Sequence, residues 1–135
     1  MIAARAVLDA SVLIRASIDR TEVARGWVDA VERADVEGTA PDLVWLEVAS
    51  ALRKYIAAGS IEQPVASRAL ARLLALPLQT RALSGLAEPA LARSLSLGLS
   101  VYDASYLVLA EASDSLLVTA DERLAAAAAR AELVV

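Results

Sequence analysis

The sequence predicts an α/β protein with a central parallel sheet covered by helices on both faces. Three observations carry that expectation. Apolar runs of strand length alternate with longer stretches whose apolar residues recur at helical spacing. Pro, Gly and small polar residues punctuate the boundaries, and no internal repeat or linker-like segment divides the chain. Strands separated by helices imply parallel pairing with both faces covered, because each crossover has room for a helix. At 135 residues the chain fits one domain with a real core, so residues 1–135 are expected to form a single unit with one site.

The elements follow in order. Residues 6–8 read as a short buried strand ending at Asp9, and 10–16 have helix-forming composition. A second helix covers 22–34, with Val23, Trp27, Val31 and Ala34 on one face. A short strand at 38–40 precedes Pro41, which suits the first turn of a helix over 42–58 closed by Gly59. Ser60 caps a helix running to about residue 76, with Pro64 tolerated in its opening turn and Pro77 as the stop. Residues 78–82 form a strand, 86–97 a helix ended by Gly98, and 101–112 a helix capped by Ser100. Residues 115–119 are a buried strand, Asp121 opens a final helix through the alanine run 125–129, and 133–135 form a last edge strand.

Composition narrows the chemistry. With no His and no Cys there is no imidazole base, no thiolate nucleophile and no ordinary zinc cage, so any catalysis falls to carboxylates. Carboxylate clusters suit Mg²⁺ or Mn²⁺, hard cations that leave room for waters and substrate phosphates. The formal charge of −4 argues against broad adhesion to nucleic acid, although all of the 13 basic residues except Lys54 are Arg, the better phosphate fork. No apolar run reaches the roughly 20 residues of a membrane span, residues 1–8 reach Asp9 before a signal-peptide core could form, and no cysteine framework exists. A cytoplasmic protein is expected.

Four acids stand out, each with a bland alternative. Asp9 and Asp121 follow buried strands and begin helices, which places them at the carboxyl end of the sheet, where open α/β folds bind ligands; either could simply be an N-cap. Glu47 sits in an apolar helical stretch where a carboxylate is costly unless it reaches water, a cation or a metal; the alternative is a solvent-facing stripe with Ser50 and Lys54. Asp103 follows Ser100 at capping-box spacing. Three acids at helix starts and a fourth within an apolar helix are what a carboxylate cluster at one sheet edge requires. Trp27 and Trp45 read as core, Tyr102 and Tyr106 as a packed pair at i and i+4, and 29–37 as a solvated face.

Taken together, residues 7–14 (VLDASVLI), 41–52 (PDLVWLEVASAL), 99–110 (LSVYDASYLVLA) and 117–124 (LVTADERL) resemble the PIN-domain family, in particular the VapC-type toxins of bacterial and archaeal toxin–antitoxin pairs. The resemblance spans nearly the whole chain in the right order. It implies a three-layer α/β/α fold, Mg²⁺-dependent endoribonuclease activity on RNA, homodimerisation, and inhibition by a cognate antitoxin protein. It also implies that Asp9, Glu47, Asp103 and Asp121 are the catalytic, metal-holding acids and that Ser11 and Thr119 support them. The residues themselves fit that chemistry: carboxylates hold the metal, and a water of lowered pKa attacks phosphorus in line. Two rivals remain, a catalytically silent PIN-like interaction module and a Mg²⁺ phosphohydrolase forming an aspartyl-phosphate. The latter usually has a second Asp two residues after the first, where this chain has Ser11.

Overall fold

The computed structural model describes residues 4–134. Five strands, β1 (Ala4–Leu8), β2 (Val36–Pro41), β3 (Gln79–Arg81), β4 (Leu116–Thr119) and β5 (Ala131–Leu133), form one parallel sheet in the order β3-β2-β1-β4-β5. Between them run α1 (Ala10–Ile14), α2 (Glu22–Glu32), α3 (Val44–Ala57), α4 (Gln63–Leu74), α5 (Ala87–Leu97), α6 (Val101–Ala112) and α7 (Glu122–Ala127). The first four helices pack among themselves, as do the last three, so a helical layer covers each face of the sheet. This is the three-layer α/β/α arrangement that the alternation of elements implies.

The central strand is β1, flanked by β2 with Val7 opposite Thr39 and by β4 with Leu8 opposite Val118. Its last three residues, Ala6, Val7 and Leu8, are all buried, as expected of a strand covered on both faces. Because all pairing is parallel, the carboxyl ends of β1 and β4 lie side by side. Each hands the chain directly to a helix.

Helix ends explain most boundary differences. At the end of α3, Gly59 takes φ of +75°, while Ser60 N–H donates to the Tyr55 carbonyl at 2.9 Å and Gly59 N–H to that of Ile56 at 3.0 Å. That is a Schellman stop. Ala34 (φ 61°) and Asp114 (φ 50°) occupy the same left-handed position after α2 and α6 without being glycine, which shortens α2 relative to the expected 22–34. α2 also turns onto the core through Ala24 and Val31, leaving Val23 47% exposed.

Other expectations need correction. Pro41 ends β2 rather than opening a helix, and α3 starts at Val44. The N-cap of α4 is Glu62, not Ser60, with Pro64 in the first turn. α1 stops at Ile14 and the chain continues as a π-helical turn, Arg15–Asp19, where Ser17 Oγ donates to the Leu13 carbonyl at 2.7 Å and competes with the regular ladder. The last strand is Ala131–Leu133, and Val135 and residues 1–3 lie outside the described residues. Trp27 and Trp45 pack against the core as expected, whereas Tyr102 is 65% exposed and Tyr106 fully buried, so the two are not a packed pair. Among the described residues, no helix is long and apolar enough to cross a membrane.

Gly38 on β2 is a point of close approach between sheet and helix. A Cβ there would meet Val31 Cγ2 at 2.9 Å and Leu78 Cδ1 at 3.1 Å. Val31 is β-branched and fully buried, with little freedom to yield. Gly38→Ala is therefore expected to destabilise the protein by about 1–3 kcal/mol in a chemical denaturation experiment. A neutral substitution would show that α2 shifts at no cost.

Candidate active site

Asp9 is placed by the backbone before its side chain acts. Its N–H donates to the Val118 carbonyl at 3.0 Å, fixing the end of β1 against β4. The residue is 8% exposed, and a single oxygen, Oδ2, accepts both Thr119 Oγ1 at 2.7 Å and Ser11 Oγ at 3.0 Å. Each hydroxyl is itself anchored: Thr119 Oγ1 accepts the Asp121 N–H and Ser11 Oγ the Ala120 N–H, both at 3.0 Å. The result is a continuous hydrogen-bonded chain between the β1–α1 and β4–α7 junctions. Although Asp9 occupies the N-cap position of α1, its side chain makes no capping bond. The Ser11 and Ala10 N–H groups at the start of α1 still help to lower its pKa, so the helix start and the two hydroxyls together hold the carboxylate.

Glu47 lies in the first turn of α3, and its Oε1 accepts the hydroxyl of the fully buried Tyr106 at 2.6 Å. This contact joins α3 to α6 and replaces the solvent-facing stripe. Tyr106 is the residue the sequence reading missed; the signal was a phenol three residues after Asp103 in an otherwise apolar helix, where a buried hydroxyl needs a partner. Asp103 is half-buried in the first turn of α6. Its N–H donates to Ser100 Oγ at 3.0 Å, so half of the capping box is present, but its carboxylate makes no returning bond to the Ser100 N–H. Asp121 does cap α7, with Oδ1 accepting Arg123 N–H at 2.9 Å and Leu124 N–H at 3.2 Å.

A shared pattern results. Asp9, Glu47 and Asp121 each commit one carboxylate oxygen to the protein, and among the described residues the other takes no protein hydrogen bond. Asp9, Ser11, Glu47 and Asp121 line one open cleft of about 620 Å³ at the carboxyl edge, which extends to Arg15, Asp19 and Tyr55. Asp103 stands beside that cleft rather than in its lining, near enough to Asp9, Glu47 and Asp121 to interact with their charges. Among the described residues no three acids come close enough together to form a ready chelate. A second cavity of about 330 Å³, between the π-turn, α2 and α4, carries Arg20, Arg25 and Arg72 but none of the four acids.

The electrostatics follow from crowding. Burial raises the pKa of Asp9, against the lowering effect of the Thr119 and Ser11 hydroxyls. Burial also raises Glu47, the Tyr106 hydroxyl opposes it, and the Asp9 and Asp103 charges add to the rise. Asp103 is raised by burial and then by Asp9 and Asp121, with Ser100 and Arg123 opposing. Tyr106, buried against Glu47, is pushed far above the ordinary phenol range. What this arrangement can do is attract a cation: hard oxygen donors, partly stripped of water and mutually repelling, with free lone pairs facing a cleft.

Comparison with known proteins adds an independent line. The family model described as PIN domain matches residues 6–130. The crystal structure of PAE2754 from Pyrobaculum aerophilum is similar over 98% of this chain and 92% of that chain, at 28% identity and a TM-score of 0.73. VapBC2 from Rickettsia felis, crystallised bound to a DNA fragment from their promoter, shares the fold over 96% of this chain and 98% of that chain, at 13% identity and a TM-score of 0.68. No curated protein sequence matches the chain.

Two outcomes are expected. Thr119→Val removes the hydroxyl that serves both Asp9 Oδ2 and the Asp121 N–H, and should cost about 1–3 kcal/mol of stability in a denaturant titration. A cost below 0.5 kcal/mol (about half a typical hydrogen bond) would show that water replaces the hydroxyl freely. The pH dependence has a definite sign. Carboxyls whose folded pKa is raised bind protons more readily in the folded state, so their contribution is fully present below the ordinary carboxylate range. It is lost as pH rises through the raised values. In chelator-treated protein the melting temperature should therefore rise as pH is lowered from 7 to about 5, and a fall over that interval would contradict the assignment of raised values to Asp9, Glu47 and Asp103.

Proposed function

The chain belongs to the PIN-domain family, and from that premise we propose that it is a Mg²⁺-dependent endoribonuclease, with Mn²⁺ able to substitute, acting as the VapC-type toxin of a toxin–antitoxin pair. The observation that carries the reading is the free carboxylate oxygen that Asp9, Glu47 and Asp121 each leave at one sheet edge while the other is anchored. Anchoring one oxygen aims the other without using it, as a metal-holding carboxylate requires. All four acids also sit at helix N-terminal turns, whose partial positive charge offsets some of their mutual repulsion. The donor set fits a hard divalent cation.

Asp9 and Asp103 are the residues that would hold the cation directly, with Asp121 completing the set and Ser11 and Thr119 keeping Asp9 in place. When bound, the cation supplies Lewis-acid stabilisation of the charge that develops on the phosphoryl group and lowers the pKa of a water. Glu47 takes the proton from the attacking water at Oε2, since Oε1 is held by Tyr106 and burial has moved its pKa toward a useful range. The protein acts as a single cytoplasmic domain, as a homodimer, and is silenced by an antitoxin that presents a basic side chain to the carboxylates.

The wide spacing of the acids also favours a second reading, a PIN-like interaction module without catalysis. Asp103→Asn separates the two. In the nuclease reading, RNA cleavage by the purified, antitoxin-free protein is lost, while metal-free stability is kept or raised because a repelling charge has gone. The Ser100 cap is untouched, since it is made to the backbone of residue 103. Added Mg²⁺ should stabilise the wild type, by about 2.7 kcal/mol at a hundredfold excess over Kd, and leave the variant unchanged. Wild-type protein that neither cuts RNA nor gains stability from Mg²⁺ would establish the silent module, and full activity in Asp103→Asn would remove this residue from the site.

A further inference from the structure

An acidic protein that cuts RNA needs something in its cleft to meet the charge of the substrate. Beyond the carboxylates the cleft runs along α1 and α3 to Arg15, the only basic side chain in its lining among the described residues. Arg15 is half-buried and, among the described residues, makes no salt bridge and no side-chain hydrogen bond. A guanidinium without a protein partner keeps its forked donors for a ligand, which it would grip as it grips a carboxylate. It is the first residue of the π-turn Arg15–Asp19, a rare geometry that gathers at functional sites.

The acid nearest to Arg15 along the turn has a partner of its own. Asp19, four residues on along the same turn, is the nearest acid in sequence that could neutralise Arg15. Its two carboxylate oxygens instead accept the hydroxyl of Tyr55 from α3, at 3.0 and 3.3 Å. Tyr55 lies close enough to both to feel the charge of each. Asp19 thus has a partner from α3, and Arg15 stands with its donors unused beside a cluster of acids that would otherwise repel a polyanion.

Building on the ribonuclease reading, we infer that Arg15 is the phosphate anchor of this cleft, taking a phosphate of the RNA strand next to the one that is cut. Tyr55 is the positioning residue that keeps Arg15 available by holding Asp19. A guanidinium at this place supplies the forked, charge-assisted hydrogen bonds that a phosphodiester accepts, and it displaces a condensed counterion from the strand.

The test is steady-state cleavage of a short single-stranded RNA in Mg²⁺ over a series of salt concentrations. Arg15→Gln should raise KM about tenfold, the loss expected for charged hydrogen bonds, with the effect confined to KM. It should also lower the slope of log KM against log salt by about 0.7, one phosphate contact on a single strand. Arg15→Lys keeps the charge and should keep the slope. Tyr55→Phe, which retains the ring but releases Asp19 to pair with Arg15, should raise KM by a smaller factor. Wild-type KM and slope in Arg15→Gln, or a reduced slope in Arg15→Lys, would overturn the anchor while leaving the ribonuclease reading standing. A loss in kcat at unchanged KM would overturn it as well, by moving Arg15 into the chemical step. Wild-type protein that cuts no RNA would overturn the ribonuclease reading and the anchor with it.

Discussion

The buried carboxylate of Asp9 is the constraint on which the site depends. It is held at one oxygen by two hydroxyls that come from the β1–α1 and β4–α7 junctions, and each hydroxyl is held in turn by a backbone N–H. Burial makes the charged form costly and so raises its pKa. A fold selected only for stability would place an apolar residue there, because an incompletely compensated buried charge is a liability. The cost is concentrated at the carboxyl edge of the sheet, where open α/β folds bind ligands. Sequences that break a local rule in this way usually do so at functional positions.

Topology turns that local constraint into a site. Parallel pairing with β1 at the centre and β4 beside it sets Asp9 and Asp121 at adjacent strand ends, with only the Thr119 hydroxyl between their anchors. The first turns of α3 and α6 then bring Glu47 and Asp103 toward the same edge, and the Tyr106 hydroxyl ties Glu47 to α6. Four helix N-termini thus face one cluster of negative charge. Burial raises the pKa of Glu47 and of Asp103, the charge of Asp9 adds to both rises, and among the described residues no three acids come within chelating distance.

Much of this was legible in the sequence, for reasons that can be named. The alternation of short apolar runs with helical periodicity led to the parallel α/β/α arrangement. Ser100 and Gly98 marked helix ends where they are found, because capping is a local, side-chain-specific interaction. What could not be read depended on distant contacts or on backbone geometry without a residue signature. Ala34 and Asp114 stop helices in a conformation that usually announces itself through Gly or Asn. The π-turn at Arg15–Asp19 has ordinary helical composition. Glu47 and Tyr106 are 59 residues apart, and only the packing of α3 against α6 makes them partners. Asp9 and Asp121 looked equivalent as candidate caps, yet only Asp121 caps.

The central claim is that these acids exist to hold a divalent cation at the carboxyl edge of the sheet. Anomalous diffraction from crystals equilibrated with millimolar Mn²⁺ tests it without recourse to any activity. The account predicts a single strong peak, or a close pair, in contact with Asp9 and Asp103 on the side of their unanchored oxygens, with the acids drawn together around it. Crystals that bind Mn²⁺ only elsewhere, or leave the four carboxylates spaced as they are here with no ion among them, would contradict it.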